Sequence, residues 1–344
     1  MISGNDNDQI TGFTRLLTCT KRGPVKTRLT EMLHIEHPVM LAGMGGVAYS
    51  ALTAAVSNAG GYGCLGASTM SSERLAKEIA ATRELTTKPF GVDLLTAFPD
   101  TLTHNVELLI EGGASTFVAG LGVPAHVIDL CHDHGVLVVS MCGKVEHAKR
   151  ALDAGCDLVV AQGTEAGGHT GTVATLPLVP LIVDAMDGAI PVVAAGGIFD
   201  GRGLAAALSL GAAGVWIGTR FIATPEARAI PGYRETILAT HEDGTVVSRA
   251  FSGKTMRVLR NDTTDRYDAD PSLLKKFPDQ LAVAFNDGTF HLGGDENTTG
   301  IDSRREGYPA GQAVGAITDV VPAGDLVRSI VAEAQRVIDG LSAL

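Results

Sequence analysis

The chemistry of this chain concentrates in a few short runs that pair glycine with a reactive or polarizable side chain. The most informative is Gln162-Gly163-Thr164-Glu165-Ala166-Gly167-Gly168-His169-Thr170-Gly171. An imidazole framed by glycines has no packing reason to be there, and with an ordinary pKa near about 6.5 it can take a proton or donate to a substrate oxygen. A loop histidine without a task is the common alternative. The glycine frame favours His169 as the catalytic residue.

Two further runs, Ala194-Ala195-Gly196-Gly197-Ile198 and Trp216-Ile217-Gly218-Thr219-Arg220, have the composition of an anion cradle. Glycine lets backbone N–H groups approach phosphate oxygens, and a helix beginning near Asp200-Gly201 would add the positive end of its dipole. Either run alone reads as a tight turn; the pair, correctly placed, reads as a phosphate site. Leu41-Ala42-Gly43-Met44-Gly45-Gly46 offers backbone that can lie against a flat ring, with a soft thioether beside it.

The elements that must position these runs follow from hydrophobic periodicity. Eight short apolar runs read as strands: Val39 to Met44, Gly61 to Ala67, Pro89 to Leu95, Thr116 to Gly120, Val136 to Met141, Leu158 to Gln162, Val192 to Gly196 and Val215 to Phe221. Amphipathic helices separate them, among them Ser50 to Asn58, Ser72 to Leu85 and Gly203 to Leu210. Such alternation is that of an α/β protein with a parallel sheet, and eight repeats suit a (β/α)8 TIM barrel. In that architecture the two glycine-rich runs follow strands seven and eight, the usual phosphate position. His169 lies in the loop after strand six.

Four regions result: an N-terminal extension at 1–27, the barrel at 28–224, an accessory lid subdomain at 225–311 inserted after strand eight, and a C-terminal segment at 312–344 that returns to the barrel. Within the lid, Pro271 to Phe285 reads as helix and Asn286 to Tyr308 as loop; Pro322 to Leu341 is the final helix.

With 27 Lys and Arg against 38 Asp and Glu, the formal charge of −11 repels nucleic acid and anionic membrane surfaces. Any phosphate must then be held by local dipoles. Five cysteines without paired spacing predict reduced thiols in a cytoplasm and no metal centre. The polar start and the lack of a long apolar run predict neither a signal peptide nor a membrane span.

Ala42-Gly43-Met44, Gly91-Val92-Asp93, Glu165-Ala166-Gly167-Gly168-His169, Ala195-Gly196-Gly197-Ile198, Gly218-Thr219-Arg220-Phe221 and Tyr308-Pro309-Ala310-Gly311-Gln312 follow one another in this order. On these motifs the chain resembles the nitronate monooxygenase family, formerly 2-nitropropane dioxygenases, over roughly residues 28 to 335. The resemblance implies FMN as cofactor, with Gly196, Gly197, Gly218 and Thr219 at its phosphate. Ala42, Gly43, Met44, Asp93, Gln162, Gly167 and Gly168 would lie along its ring and ribityl chain. It also implies His169 as the catalytic residue and brings Tyr308 and Gln312 to a substrate gate.

Three positions depart from the expected pattern. Asp93 stands in place of an asparagine, Met141 where related quinone reductases carry a lysine, and Ser252-Gly253-Lys254 in place of a Gly-Arg-Pro type of turn. The implied reaction is oxidation of an alkyl nitronate or nitroalkane by O2 to a carbonyl compound and nitrite. One alternative is NAD(P)H-dependent reduction of FMN and then of a quinone or enoyl thioester; another is a non-catalytic flavin binder. A small-molecule substrate is expected, no nucleic acid or membrane partner, and a homodimer is compatible.

Overall fold

Strands buried on both faces are apolar at nearly every position, and the barrel strands of this chain depart from that rule only at Asp93, Thr116, Ser140 and Gln162. In the computed structural model, which describes residues 25–96, 99–120 and 124–343, they form a parallel ring wrapped in helices. Residues 1–24, most of the expected extension and Cys19 with it, lie outside the described residues. In chain order the elements are α1 (Arg28–Met32), β1 (Val39–Leu41), α2 (Ser50–Asn58), β2 (Gly63–Gly66), α3 (Ser72–Leu85), β3 (Phe90–Leu94), α4 (Pro99–Glu111), β4 (Thr116–Ala119), α5 (Ala125–Asp133), β5 (Leu137–Cys142), α6 (Val145–Asp153), β6 (Leu158–Gln162) and a two-residue strand outside the ring, β7 (Gly168–His169). Then follow α7 (Thr175–Met186), β8 (Val192–Ala195), α8 (Gly201–Ser209), β9 (Gly214–Ile217) and a short turn of helix, α9 (Thr219–Ile222).

The strand order is β1-β9-β8-β6-β5-β4-β3-β2, and a parallel bridge between Met40 and Tyr62 joins the two ends. Leu41 N donates to Tyr62 O and Tyr62 N to Val39 O, each at 2.9 Å, so the (β/α)8 barrel is closed. Side chains alternate with the pleat. Met40, Cys64, Val118, Val139, Val160, Val193 and Trp216 fill the inside, while Leu41, Leu65, Phe117, Val138, Val159 and Val215 pack outward against the helices. Within the ring the buried Tyr62 hydroxyl donates to Thr116 Oγ1 at 3.0 Å.

After the barrel come α10 (Tyr233–Ala239), a hairpin of β10 (Thr245–Ser248) and β11 (Met256–Leu259), then α11 (Asp262–Ala269), α12 (Asp279–Asn286) and the closing helix α13 (Ala323–Leu341), which packs on α8 and α2. Three expectations need correction. The last barrel strand stops at Ile217 rather than Phe221, because Gly218 turns the chain into α9. The helix expected over Pro271 to Phe285 is two pieces, a 3-10 turn at Pro271–Leu273 and α12; Pro278, without an N–H, serves as the cap of the second. The hairpin was not foreseen, since four-residue strands carry little periodicity.

Candidate active site

Gln162 ends β6 with its side chain turned back toward the next motif, and its Nε2 donates to the carbonyl of His169 at 2.7 Å. Between them the chain runs against the 310–311 segment so closely that a Cβ on Gly167 would lie 2.7 Å from the Ala310 carbonyl carbon and the Gly311 nitrogen. His169 is therefore not in a free loop, as the sequence suggested. It forms β7, paired antiparallel to β11 through Met256↔His169 and Arg257↔Gly168.

That pairing delivers a partner from the hairpin. His169 Nε2 lies 2.9 Å from Ser252 Oγ, and Ser252 is buried. The serine proton is directed to the carbonyl of Lys254 at 3.2 Å, while the Lys254 amide donates back to Oγ at 3.3 Å. With the serine proton on the Lys254 carbonyl, Ser252 accepts from His169, an arrangement that places the proton of the neutral imidazole on Nε2. Nδ1 then carries the lone pair and has no protein partner among the described residues. Burial, and secondarily the Lys254 ammonium, hold the His169 pKa below its ordinary 6.5, so the ring is neutral at physiological pH.

Arg257 braces the loop from below. Its guanidinium is buried, with Nε donating to Thr164 O at 2.8 Å and Nη1 to Thr245 Oγ1 at 3.0 Å. Beside it the Glu165 carboxylate accepts from the amide and hydroxyl of Thr175, each at 2.8 Å, and the same hydroxyl lies 3.1 Å from Gly196 O. The histidine loop and the phosphate-type loop are thus tied together through Thr175.

Gly196 and Gly197 both have left-handed backbones, φ +107° and +71°, a pair that glycine alone adopts without strain. Among the described residues no acceptor pairs with the amide N–H groups of Gly196, Gly197, Gly218 or Thr219. A Cβ on Gly197 would touch only Glu165. Unused amides in a bare backbone cradle fit the phosphate end of a flavin nucleotide. The α8 dipole does not contribute as expected: Asp200 Oδ1 accepts from Gly203 N at 3.1 Å and Glu333 Oε2 from Gly201 N at 2.7 Å, so carboxylates already occupy its first turn. Nor does the neighbouring Arg220, which is buried and paired with Asp319 at 2.7 Å.

The ring-facing candidates gather around the β1 turn. Gly43 sits so near Asp93 that a Cβ there would fall 2.2 Å from the Asp93 Cβ, and Met44 Sδ would lie 3.2 Å from a Cβ on Gly218. Ala42 stacks in the same corner. The Asp93 carboxyl has no hydrogen-bond partner among the described residues, and burial pushes its pKa well above the carboxylate range. It therefore keeps its proton to higher pH than an ordinary aspartate, and while it does so it can donate as an asparagine would.

Of the two gate candidates, Gln312 is at the site: its amide donates to Glu165 O at 2.8 Å, and it lines a cleft of about 350 Å³ with Thr175, Gly196, Gly197 and Ile198. Tyr308 is not. Its ring is buried and stacked on Tyr233 at 4.7 Å, and its hydroxyl donates to Pro231 O at 2.7 Å, so it belongs to the core beneath the accessory segment. Cys142 is likewise packing, a buried thiol pushed up to about 12. Among the described residues no cluster of His, Cys, Asp and Glu could hold a metal ion, and no helix is long and apolar enough to cross a membrane. Sequence reasoning missed Ser252, Thr175 and Arg257 as members of the site; each is placed there by contacts distant in sequence.

Comparison with known proteins identifies the family and the fold. The model of the nitronate monooxygenase family matches residues 26–108 and 100–333. A 5-hydroxy-7a-methyl-1-oxo-octahydro-1H-indene-4-carboxyl-CoA dehydrogenase from Rhodococcus jostii is 37% identical over 93% of this chain and 99% of its own. Among solved structures, FabK from Thermotoga maritima superposes with a TM-score of 0.82 at 33% identity, covering 93% of this chain and 99% of that one. A nitroalkane oxidase from Streptomyces ansochromogenes gives 0.77 at 28% identity, covering 91% and 99%.

Proposed function

This chain belongs to the nitronate monooxygenase family of flavin-dependent oxidoreductases, and on that premise we propose that it binds FMN and oxidises alkyl nitronates, or the parent nitroalkanes, with O2 to a carbonyl compound and nitrite. The observation that carries this reading is the His169 imidazole, its Nε2 2.9 Å from Ser252 Oγ and its Nδ1 without a partner among the described residues. Gly196, Gly197, Gly218 and Thr219 would hold the phosphate; Ala42, Gly43, Met44, Asp93, Gln162, Gly167 and Gly168 would line the ring and ribityl chain.

On a neutral nitroalkane, His169 Nδ1 removes the proton α to the nitro group. The resulting imidazolium then presents Nδ1–H to the nitro oxygens, where negative charge has developed. A nitronate arrives already deprotonated and needs only the positioning. FMN, when bound, supplies the electron acceptor whose electrons pass on to O2. Residues 225–311 serve as a lid, since their hairpin supplies the strand on which His169 is held. The test is a spectrum of the purified protein under anaerobic conditions with propionate 3-nitronate, followed by nitrite release in air. A flavin that neither changes spectrum nor yields nitrite would refute the activity.

A second reading keeps the site and changes the carbon acid. The dehydrogenase relative is named for a carboxyl-CoA substrate and aligns over nearly its full length. A proton α to a thioester carbonyl poses His169 the same task as one α to a nitro group. Electron transfer between the flavin and a CoA thioester, or from NAD(P)H, in the same anaerobic cell would favour this reading.

A further inference from the structure

We propose that the rim of the His169 mouth formed by Lys254, Lys275, Lys276 and Phe277 is a binding site for a phosphorylated adenosine handle, the chemistry shared by a coenzyme A thioester and a reduced nicotinamide dinucleotide. The inference rests on reading the cleft as a flavin redox site and adds to it a second point of attachment for the substrate.

Two segments distant in sequence meet here. Gly253 has φ +77°, and a Cβ on it would lie 2.6 Å from Phe277 N, 2.8 Å from the Lys276 carbonyl carbon and 3.0 Å from Lys275 O. The 252–254 turn is therefore pressed directly against the backbone of 275–277. Lys254 Nζ stands 4.2 Å from the centre of the Phe277 ring. Two residues before that lysine is Ser252, which holds His169. The rim is thus continuous with the catalytic imidazole, and the Lys254 charge reaches it, being one cause of the lowered His169 pKa.

No carboxylate among the described residues neutralises the charges at this rim. In a protein of formal charge −11, ten other lysines and arginines form ion pairs among the described residues, yet none of Lys254, Lys275 and Lys276 is among them. Lys275 and Lys276 are exposed, and 40% of Phe277 is open to solvent. The acids nearby in sequence are Asp279, in the first turn of α12, and Asp270, whose carboxylate is bonded to the amide and hydroxyl of Ser272. The Lys254 ammonium over the partly exposed Phe277 ring, with two exposed lysines adjacent in sequence, matches phosphates attached to a stackable base. Neither a simple nitronate nor O2 has a use for such a rim.

The test is equilibrium dialysis of the FMN-loaded protein against coenzyme A, NADPH and inorganic phosphate in separate arms, at low and raised salt. We expect one or both nucleotides to bind and phosphate alone to fail. Lys275→Glu with Lys276→Glu should weaken nucleotide binding about tenfold or more and flatten its salt dependence, and Phe277→Ser should weaken it with the salt dependence intact. All three side chains are exposed, so FMN content and far-UV dichroism should match the parent. The arm that binds names the source of the handle. Absence of binding by both nucleotides, or equal binding by the charge-reversed variant, overturns the proposal. Because dialysis needs no turnover, a protein that oxidises nitronates but binds neither nucleotide sinks this inference alone, while a colourless protein that refuses FMN sinks the flavin reading instead.

Discussion

His169 Nε2 and Ser252 Oγ lie 2.9 Å apart although 83 residues separate them, and the serine is buried with its own proton turned toward the Lys254 carbonyl. In that arrangement the hydroxyl accepts from Nε2 and leaves Nδ1 as the basic nitrogen. Ser252→Ala leaves the His169 N–H and the Lys254 amide without this acceptor, and because His169 is partly exposed and Lys254 half-buried the loss falls below the about 1–3 kcal/mol of a fully buried polar group. We expect a lower melting temperature and slower proton removal from a neutral nitroalkane, with turnover of the nitronate and FMN content nearly kept. Equal rates for variant and parent on nitroethane would mean the serine does not set the tautomer.

Replacing the imidazole itself separates base from anchor. His169→Gln should lower turnover of neutral nitroalkanes by about 10²- to 10⁴-fold, the usual worth of a positioned base. The nitronate, already an anion, should suffer much less. Equal loss on both would reduce His169 to a positioning role.

The pH profile has a defined sign. Because the folded pKa of His169 lies below 6.5, the base is competent through neutrality and loses its lone pair only as pH falls through that lowered value. The same shift disfavours folding in acid: below 6.5 the unfolded histidine takes a proton that the folded one resists, and the lost stability is complete once pH passes below the folded pKa. Lys254→Gln removes the second of its two causes, so the acid limb of the rate profile for a neutral nitroalkane should move to higher pH. Its staying in place would assign the whole shift to burial.

The sequence revealed what is local and concealed what is assembled. Eight apolar runs and their helices are legible because a barrel strand buried on both faces is largely apolar, and Gly196-Gly197 are legible because left-handed backbone favours glycine. Ser252 was visible only as an unusual turn, since nothing near it announces that a hairpin of two four-residue strands will pair with Gly168–His169. The first turn of α8 looked free for phosphate because its blocking group, Glu333, comes from a helix 132 residues onward. Tyr308 was misplaced for a related reason: a motif beside the site brings its backbone there, while its ring is claimed by Tyr233.

Gly197 offers a clean probe of the phosphate cradle. An alanine Cβ there meets only Glu165 Cβ, at 3.4 Å, so the substitution adds no clash but must bear φ +71° at a cost of about 1–2 kcal/mol. Relief of that strain rotates the adjoining amides away from the cradle. We expect Gly197→Ala to fold and to bind FMN at least about tenfold more weakly, read by quenching of flavin fluorescence. Gly196→Ala is a poorer probe, because its Cβ would also lie 2.6 Å from Thr175 Oγ1. Undiminished affinity in Gly197→Ala would move the phosphate elsewhere.

Asp93 carries the opposite pH signature from His169. Burial raises its folded pKa well above 3.8 and no basic group offsets it, so the folded carboxyl stays protonated where the unfolded one ionises. Its contribution to stability is full only below 3.8 and is lost as pH rises, until the folded pKa is passed. As pH rises above 3.8 the protein bears that cost for a carboxyl lodged against Gly43. Asp93→Asn keeps the shape and a donor while removing the ionisable proton. The apo-variant should therefore melt higher than the parent at pH 7, by a margin that shrinks toward zero as the pH is lowered to 4. Its FMN affinity should also be level with pH, whereas the parent's falls on the alkaline side as the donor proton is lost. A melting difference that does not vary between pH 4 and pH 7, measured by scanning calorimetry, would show that Asp93 is ionised in the fold and cannot donate to the ring.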